Sequence, residues 1–403
     1  MKAPKDIDRT RMVILPEQEH GERLARVLKY MAKAGLESML LCDNANKFYI
    51  TGRIFDGYIY IGPDGQVSYF VRRPSILEGK PVHHIHKPEN ILEIIDREGL
   101  GRPSKLGLEL TQISYATVMR LAAALGVDSF GNADSVMLSA RAVKTAYEIQ
   151  QIAVCGMRHD RVYSRIPHLY HEGMSDVELQ IEIERVTRLE GGLGIIRTVG
   201  QSMEINMGSV LAGRNADEPS PYDFALGGAG SSPALPVGAD GTVLRAGMSV
   251  MVDTNGVFNG YMTDMTRTFA VGNLPQRAMD LHKLSCDICH TIEDMARPGV
   301  RCSDLCRKAL DMAAKAGASD LFMGHNSQAA FIGHGIGIAL NELPVITLKT
   351  DSVLEAGNVL AIEPKFVIPD VGAVGIENTC AVTDDGPMRR LTNAPEELIT
   401  LVS

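Results

Sequence analysis

Residues 251–269 read MVDTNGVFNGYMTDMTRTF, with Asp253 and Asp264 standing on either side of Asn259-Gly260. Asn-Gly between apolar and β-branched runs predicts a tight hairpin. The two aspartates are eleven residues apart. A turn tip between Phe258 and Asn259 would set them directly opposite each other, on one face of the hairpin.

A second acidic pair lies further along. Glu363 and Glu377 are fourteen residues apart and flank Pro369-Asp370, inside NVLAIEPKFVI (358–368) and VGIENTCAV (374–382). A turn centred near Asp370 pairs these two as well. His334 falls between the two hairpins, in Gly333-His334-Gly335-Ile336-Gly337. The glycines are expected to let the backbone pass close to a bound ion. An isolated acidic residue in a turn is usually solvated. Asp253, Glu363 and Glu377, however, are embedded in apolar β text, where a carboxylate is costly unless it is paired or bound to a metal. Four carboxylates and one imidazole suit two divalent ions, drawn from manganese, cobalt, iron and zinc. Such a pair serves metal-dependent hydrolysis.

These motifs resemble those of the pita-bread metallopeptidases: methionine aminopeptidase, prolidase and aminopeptidase P. The resemblance covers about 141–403, from ARAVKTAYEIQQIAVCGMRHD (140–160) and HEGMSDVELQIEIERV (171–186) to GAVGIENTCAVTDDGPMRRLT (372–392). DNANKFYITGRIFDGYIYIGPDG (43–65) also looks like the small N-terminal domain of the creatinase and prolidase branch. The resemblance implies a creatinase-like α/β domain over 1–140 and an α+β pita-bread catalytic domain over 141–403. It implies that Asp253 binds one ion, that Asp264 and Glu377 bridge both, and that His334 and Glu363 bind the other. Glu363 would also shuttle protons. An exopeptidase acting on short Xaa-Pro peptides follows, as does a homodimer, for which Arg72 and Arg73 are candidate lid residues.

The sequence departs from the family's pattern at two substrate-contacting histidines. Asn341 stands where one is expected, in Asn341-Glu342-Leu343-Pro344, and Val237 where the other is expected, in PALPVGADGTVLRAG (233–247). Asn255 also replaces a glycine common two positions after the first aspartate. Asparagine can donate a hydrogen bond but is no acid near neutral pH. Losing one oxyanion donor costs about 10²–10³ in rate. Asn341 and Val237 therefore keep an alternative open, a hydrolase or lyase of a small non-peptide metabolite on the same fold. A non-catalytic binding protein is a third reading, disfavoured because a binding surface needs no such ligand set. Gly228 belongs to the run Gly227–Ser232, which lacks the GK[ST] of a phosphate loop. The resemblance puts it at the rim of the substrate pocket.

Composition sets the bounds. The chain has 403 residues, 45% of them hydrophobic, and a net charge of −9. That argues for two domains, and against nucleic acid as a partner. No apolar stretch reaches membrane-spanning length, and the charged N-terminus MKAPKDIDRTRMVILPEQEH has no signal-like core, so cytoplasmic residence is expected. The seven cysteines are expected to be reduced thiols. Cys286, Cys289, Cys302 and Cys306 fall in helical text and read as core thiols rather than a zinc site. His84 and His86 are expected to share one face of a surface strand, and one helix is expected over 145–172.

Overall fold

The computed structural model describes residues 8–200 and 204–401. The first seven residues of the charged N-terminal stretch lie outside that range. The chain divides into two compact units, Met1–Arg141 with Val199–Gln201, and Ala142–Thr198 with Ser202–Ser403.

In the first unit, apolar strands alternate with helices. They are α1 (Glu17–Lys33), β1 (Ser38–Leu41), α2 (Asn44–Thr51), β2 (Asp56–Ile61), β3 (Val67–Arg73), β4 (Val82–His84), α3 (Ile91–Glu98), β5 (Leu106–Leu108), α4 (Tyr115–Leu125), β6 (Phe130–Asn132) and α5 (Asp134–Ala142). The strands form one mixed sheet in the order β4-β3-β2-β1-β5-β6. Leu40, Tyr60, Phe70, Leu106 and Leu108 of that sheet bury against Ile91, Ile95, Val118 and Leu121 of α3 and α4. Each fully buried side chain of this size contributes about 1.5–3 kcal/mol of burial free energy. β4 stops at His84, so His84 and His86 do not share a strand face. His83 stacks on Phe70, and the exposed His86 lies in the bend beyond.

The second unit opens with α6 (Ala146–Tyr163), capped by Thr145 and Glu148, and α7 (Asp176–Leu189), capped by Ser175 and Glu178. Both ends are capping boxes, in which side chains satisfy helix N–H groups that have no partner within the helix. The single helix expected over 145–172 ends at Tyr163, with a separate 3₁₀ turn at Ile166–His168. Pro167 has no N–H to give the Tyr163 carbonyl four residues back, and its ring would clash with that carbonyl in a continued helix. β7 (Gly208–Ala212), β8 (Ser249–Val257) and β9 (Met262–Val271) follow, then α8 (Gln276–Met295) and α9 (Cys302–Lys315). The last part is all strand: β10 (Phe331–Gly335), β11 (Glu342–Thr347), β12 (Val359–Ile362), β13 (Lys365–Ile368), β14 (Gly372–Gly375), β15 (Asn378–Ala381), β16 (Arg389–Arg390) and β17 (Ile399–Leu401).

Three sheets result, ordered β17-β9-β8-β7, β11-β10-β12-β15-β16 and β13-β14. Every residue of β9 is buried, because the strand lies between α6 on one side and the β14–β15 segment on the other. α8 and α9 close a core with Ile332, Leu360, Ile362, Phe366 and Ile376. Cys289, Cys302 and Cys306 pack in that core, and burial pushes the thiols of Cys286 and Cys302 up to about 11.

Candidate metal centre

The β8–β9 hairpin supplies the first two carboxylates, but not in the expected register. Asp253 pairs with Thr266, and Asp264 pairs with Asn255. The turn tip therefore falls between Asn259 and Gly260, one residue later than expected, and the aspartates are diagonal rather than opposite. The turn chemistry explains the shift. Asn259 Oδ1 accepts from Tyr261 N–H at 3.1 Å, and Gly260 takes φ 97°, a conformation that favours glycine. Asp253 and Asp264 still share a face, since directly opposed residues and residues two apart along a strand lie on the same side.

The second pair follows the expected register. β12 and β15 pair up to Ile362↔Asn378, and β13 and β14 resume the same register at Lys365↔Gly375. Glu363 and Glu377 thus lie opposite each other between the two ladders. β10 brings His334 to Ala361, beside them. The glycines around His334 serve its neighbours rather than an ion. A Cβ on Gly333 would sit 2.4 Å from the Ala361 carbonyl, and one on Gly335 would sit 2.2 Å from that of Leu343.

All five side chains converge. Asp264, His334 and Glu377 form one group able to hold an ion, and Asp253, Glu363 and Glu377 form another. Within each group the ligand atoms lie within 4.8 Å of one another. Glu377 belongs to both. Glu363 groups with Asp253, although its Oε1 also lies 3.5 Å from His334 Nε2. The His334 Nδ1 is 3.2 Å from the Gly335 carbonyl, which can only accept. In the neutral ring this contact selects the tautomer with the proton on Nδ1, which leaves the Nε2 lone pair for an ion.

The residues fit a divalent cation. Asp264 Oδ1 and Glu377 Oε1 are buried with no hydrogen-bond partner, a costly arrangement that a bound ion would relieve. Burial first, then the charges of Asp253 and Glu363, push the Asp264 carboxyl well above its usual range. Burial and Asp264 do the same to Glu377. Thr266 Oγ1 donates to Glu377 Oε2 at 2.7 Å. Thr379 Oγ1 accepts from Asp264 N–H at 2.9 Å and donates to its carbonyl at 2.8 Å. The guanidinium of Arg267 holds the carbonyls of Thr266 and Glu377, both at 2.8 Å.

Lys365 was not foreseen. Its Nζ lies 2.7 Å from Asp253 Oδ2, 2.6 Å from Glu363 Oε2 and 3.4 Å from Glu377 Oε2. Burial opposes its charge, but the three carboxylates outweigh burial and hold the ammonium well above the usual lysine range. The signal was in AIEPKF (361–366), because residues two apart along extended chain share a face. Thr266, Thr379 and Arg267 carried no signal, because their roles depend on which strands meet.

Asn341 is exposed in the bend just before β11, while its neighbour Glu342 turns inward to pair with Lys144 at 3.0 Å. Val237 is buried. Gly228 donates to the Glu218 carbonyl, and Asn215 braces the same loop through Gly238 and Ala229. Among the described residues, no hydrogen bond links Val237 or Gly228 to the five ligand-type residues. His325 pairs with Asp217 at 2.8 Å.

Residues 23–143 match the Creatinase/Prolidase N-terminal domain, and residues 150–384 match Metallopeptidase family M24. The chain is 27% identical over 386 residues to the Xaa-Pro dipeptidase of Pyrococcus furiosus, covering 94% of this chain and 99% of that one. Its structure is similar to that of the prolidase from Pyrococcus horikoshii, with a TM-score of 0.75 at 22% identity and coverage of 94% of this chain and all of that one. It is similar to the X-Pro aminopeptidase from Thermotoga maritima at a TM-score of 0.75 and 19% identity, covering 94% and 99% of the two chains. These likenesses carry the fold, a creatinase-type N-terminal domain followed by a pita-bread domain. The M24 match alone spans more than half of the sequence, and the chain belongs to metallopeptidase family M24.

Proposed function

We propose that the protein is a metal-dependent exopeptidase acting on short Xaa-Pro peptides. The observation that carries the reading is the convergence of Asp253, Asp264, His334, Glu363 and Glu377, with two buried carboxylate oxygens left without partners. Family membership supports peptide hydrolysis, and the Pyrococcus furiosus relative, named as an Xaa-Pro dipeptidase, supports the substrate class.

A divalent ion bound here would supply Lewis acidity and lower the pKa of water. Asp264, His334 Nε2 and Glu377 would hold it. Glu363 takes up and returns the proton of the attacking water at its carboxylate, which lies beside His334. Asn341, exposed just before β11, donates an amide hydrogen bond to the substrate, and Val237 and Gly228 form part of the pocket wall. The two-ion arrangement expected from the sequence puts one ion on Asp253, Asp264 and Glu377, beside the oxygens of Asp253 and Glu377 that Lys365 now meets.

The reading includes manganese as the metal, a domain boundary near Ser139–Arg141, a homodimer, and residence in the cytoplasm. Among the described residues no helix is long and apolar enough to cross a membrane. Light scattering of the purified chain tests the dimer.

The test of function is hydrolysis by chelator-treated protein before and after adding Mn²⁺, on Ala-Pro, Leu-Pro, Ala-Leu, N-acyl amino acids and amidino compounds. Metal-restored cleavage confined to Xaa-Pro peptides is the expected result. Metal-restored turnover of the non-peptide amides alone would replace this reading with the metabolite hydrolase.

A further inference from the structure

Lys365 opens β13 and is fully buried. An ammonium has three donors and no acceptor. All three contacts go to one carboxylate each of Asp253, Glu363 and Glu377. Those are the three members of one of the two groups able to hold an ion. We propose that the metal centre is mononuclear: one divalent ion belongs to Asp264, His334 and Glu377, and Lys365 is a built-in cation at the second position.

The backbone fixes that placement. Lys365 pairs with Gly375 across the β13–β14 ladder, and its carbonyl accepts from Met323 N–H at 2.8 Å. The preceding Pro364 carbonyl is held by the hydroxyl of Ser285. With its Cα anchored and its side chain on the same face as Glu363, the lysine reaches the acidic cluster directly. A buried ammonium that left these oxygens would need other acceptors.

The other half of the centre is built differently. Asp264 Oδ1 and Glu377 Oε1 are buried without a partner. Glu377 divides its oxygens: Oε2 meets Thr266 and Lys365, and Oε1 is left over. A second ion among the Asp253, Glu363 and Glu377 oxygens would lie against the ammonium or displace it.

The inference rests on the reading of the cluster as a divalent-metal centre and is independent of peptide specificity. The test counts ions. The full chain is stripped with chelator, dialysed against Mn²⁺ and analysed for metal per chain, with electron paramagnetic resonance of the bound Mn²⁺. The wild type should hold one Mn²⁺ per chain, with the spectrum of an isolated ion. Lys365→Met, which keeps an unbranched apolar stem and removes the ammonium, should take up two and add the signal of a spin-coupled pair. Two Mn²⁺ in the wild type overturn the inference and leave the metal reading intact, whereas none overturns both. A folded Lys365→Met protein that still holds one ion also overturns it. Should that variant not fold, Asp253→Asn decides. It should retain one Mn²⁺ per chain, and loss of that ion would show that Asp253 holds it.

Discussion

Asp264 and Glu377, grouped with His334, each keep one buried oxygen without a partner, whereas Asp253, Glu363 and Glu377 also present oxygens to the ammonium of Lys365. The two halves use the same carboxylate chemistry and share Glu377, so ligand type alone does not distinguish them. The difference comes from one neighbouring side chain. A divalent ion about 3 Å from an ammonium is repelled by on the order of 10 kcal/mol at an effective dielectric of about 20. That is the largest single obstacle to filling the second half while Lys365 stays in place. A set of ligand-type residues therefore fixes where metal chemistry happens, and the cations among them fix how many ions the site accepts.

The strongest way to break the comparison is to remove the shared residue. Glu377→Ala should lose bound metal and peptide hydrolysis together, with activity falling by far more than the roughly 10–100-fold typical of residues that only orient a ligand. Metal analysis beside steady-state kinetics checks this, and a Glu377→Ala protein at full occupancy would show that Glu377 is not a ligand. Next in size is a change in one half only. Asp264→Asn should lose the ion, while the matching change at Asp253 should keep it, and calorimetric titration with Mn²⁺ separates the two. Equal losses would mean that the halves are not distinct. A smaller effect is expected at Thr266, whose hydroxyl donates a hydrogen bond to Glu377 Oε2. Thr266→Val keeps the shape and should weaken Mn²⁺ by about 10–100-fold; unchanged affinity would mean that the hydroxyl does not orient Glu377.

The smallest effect concerns the floor beneath both halves. His159, on α6, lies 3.0 Å from Thr254 Oγ1 on β8 and 3.1 Å from Thr263 Oγ1 on β9. Burial, with Arg267 nearby, lowers its pKa from 6.5 to about 3. As the pH falls below the ordinary value, the unfolded chain takes up a proton that the native protein refuses. Its contribution to stability is therefore complete above about pH 6.5 and is lost progressively as the pH falls toward 3. Thermal unfolding of His159→Asn should depend less on pH across that window than unfolding of the wild type. An identical slope would assign the pH dependence to other groups.

Much of this was legible in the sequence, for identifiable reasons. The five ligand-type residues could be picked out because carboxylates in apolar β text need a partner, and their order matched a known family. The Glu363–Glu377 register was legible because one turn sits midway between them. The Asp253–Asp264 register was missed by one residue at the turn, because the Asn259 side chain fixes where the chain reverses. The α6 boundary was missed because the apolar periodicity runs on past Tyr163, whereas Pro167 stops the helix. Lys365 stood in plain view beside Glu363, but a lysine in a strand reads as solvated until the fold shows that it has no route to water. The bracing by Thr266, Thr379 and Arg267 depends on β9 lying against the β14–β15 segment, a long-range pairing that no local pattern reports.

The most direct test of the account is anomalous scattering from crystals of the wild-type protein loaded with Mn²⁺ or Co²⁺. The prediction is one peak about 2 Å from Asp264, His334 Nε2 and Glu377, with the Lys365 ammonium still on Asp253 and Glu363. A peak held by Asp253 and Glu363 with Lys365 turned away, or no peak at the cluster, would contradict it.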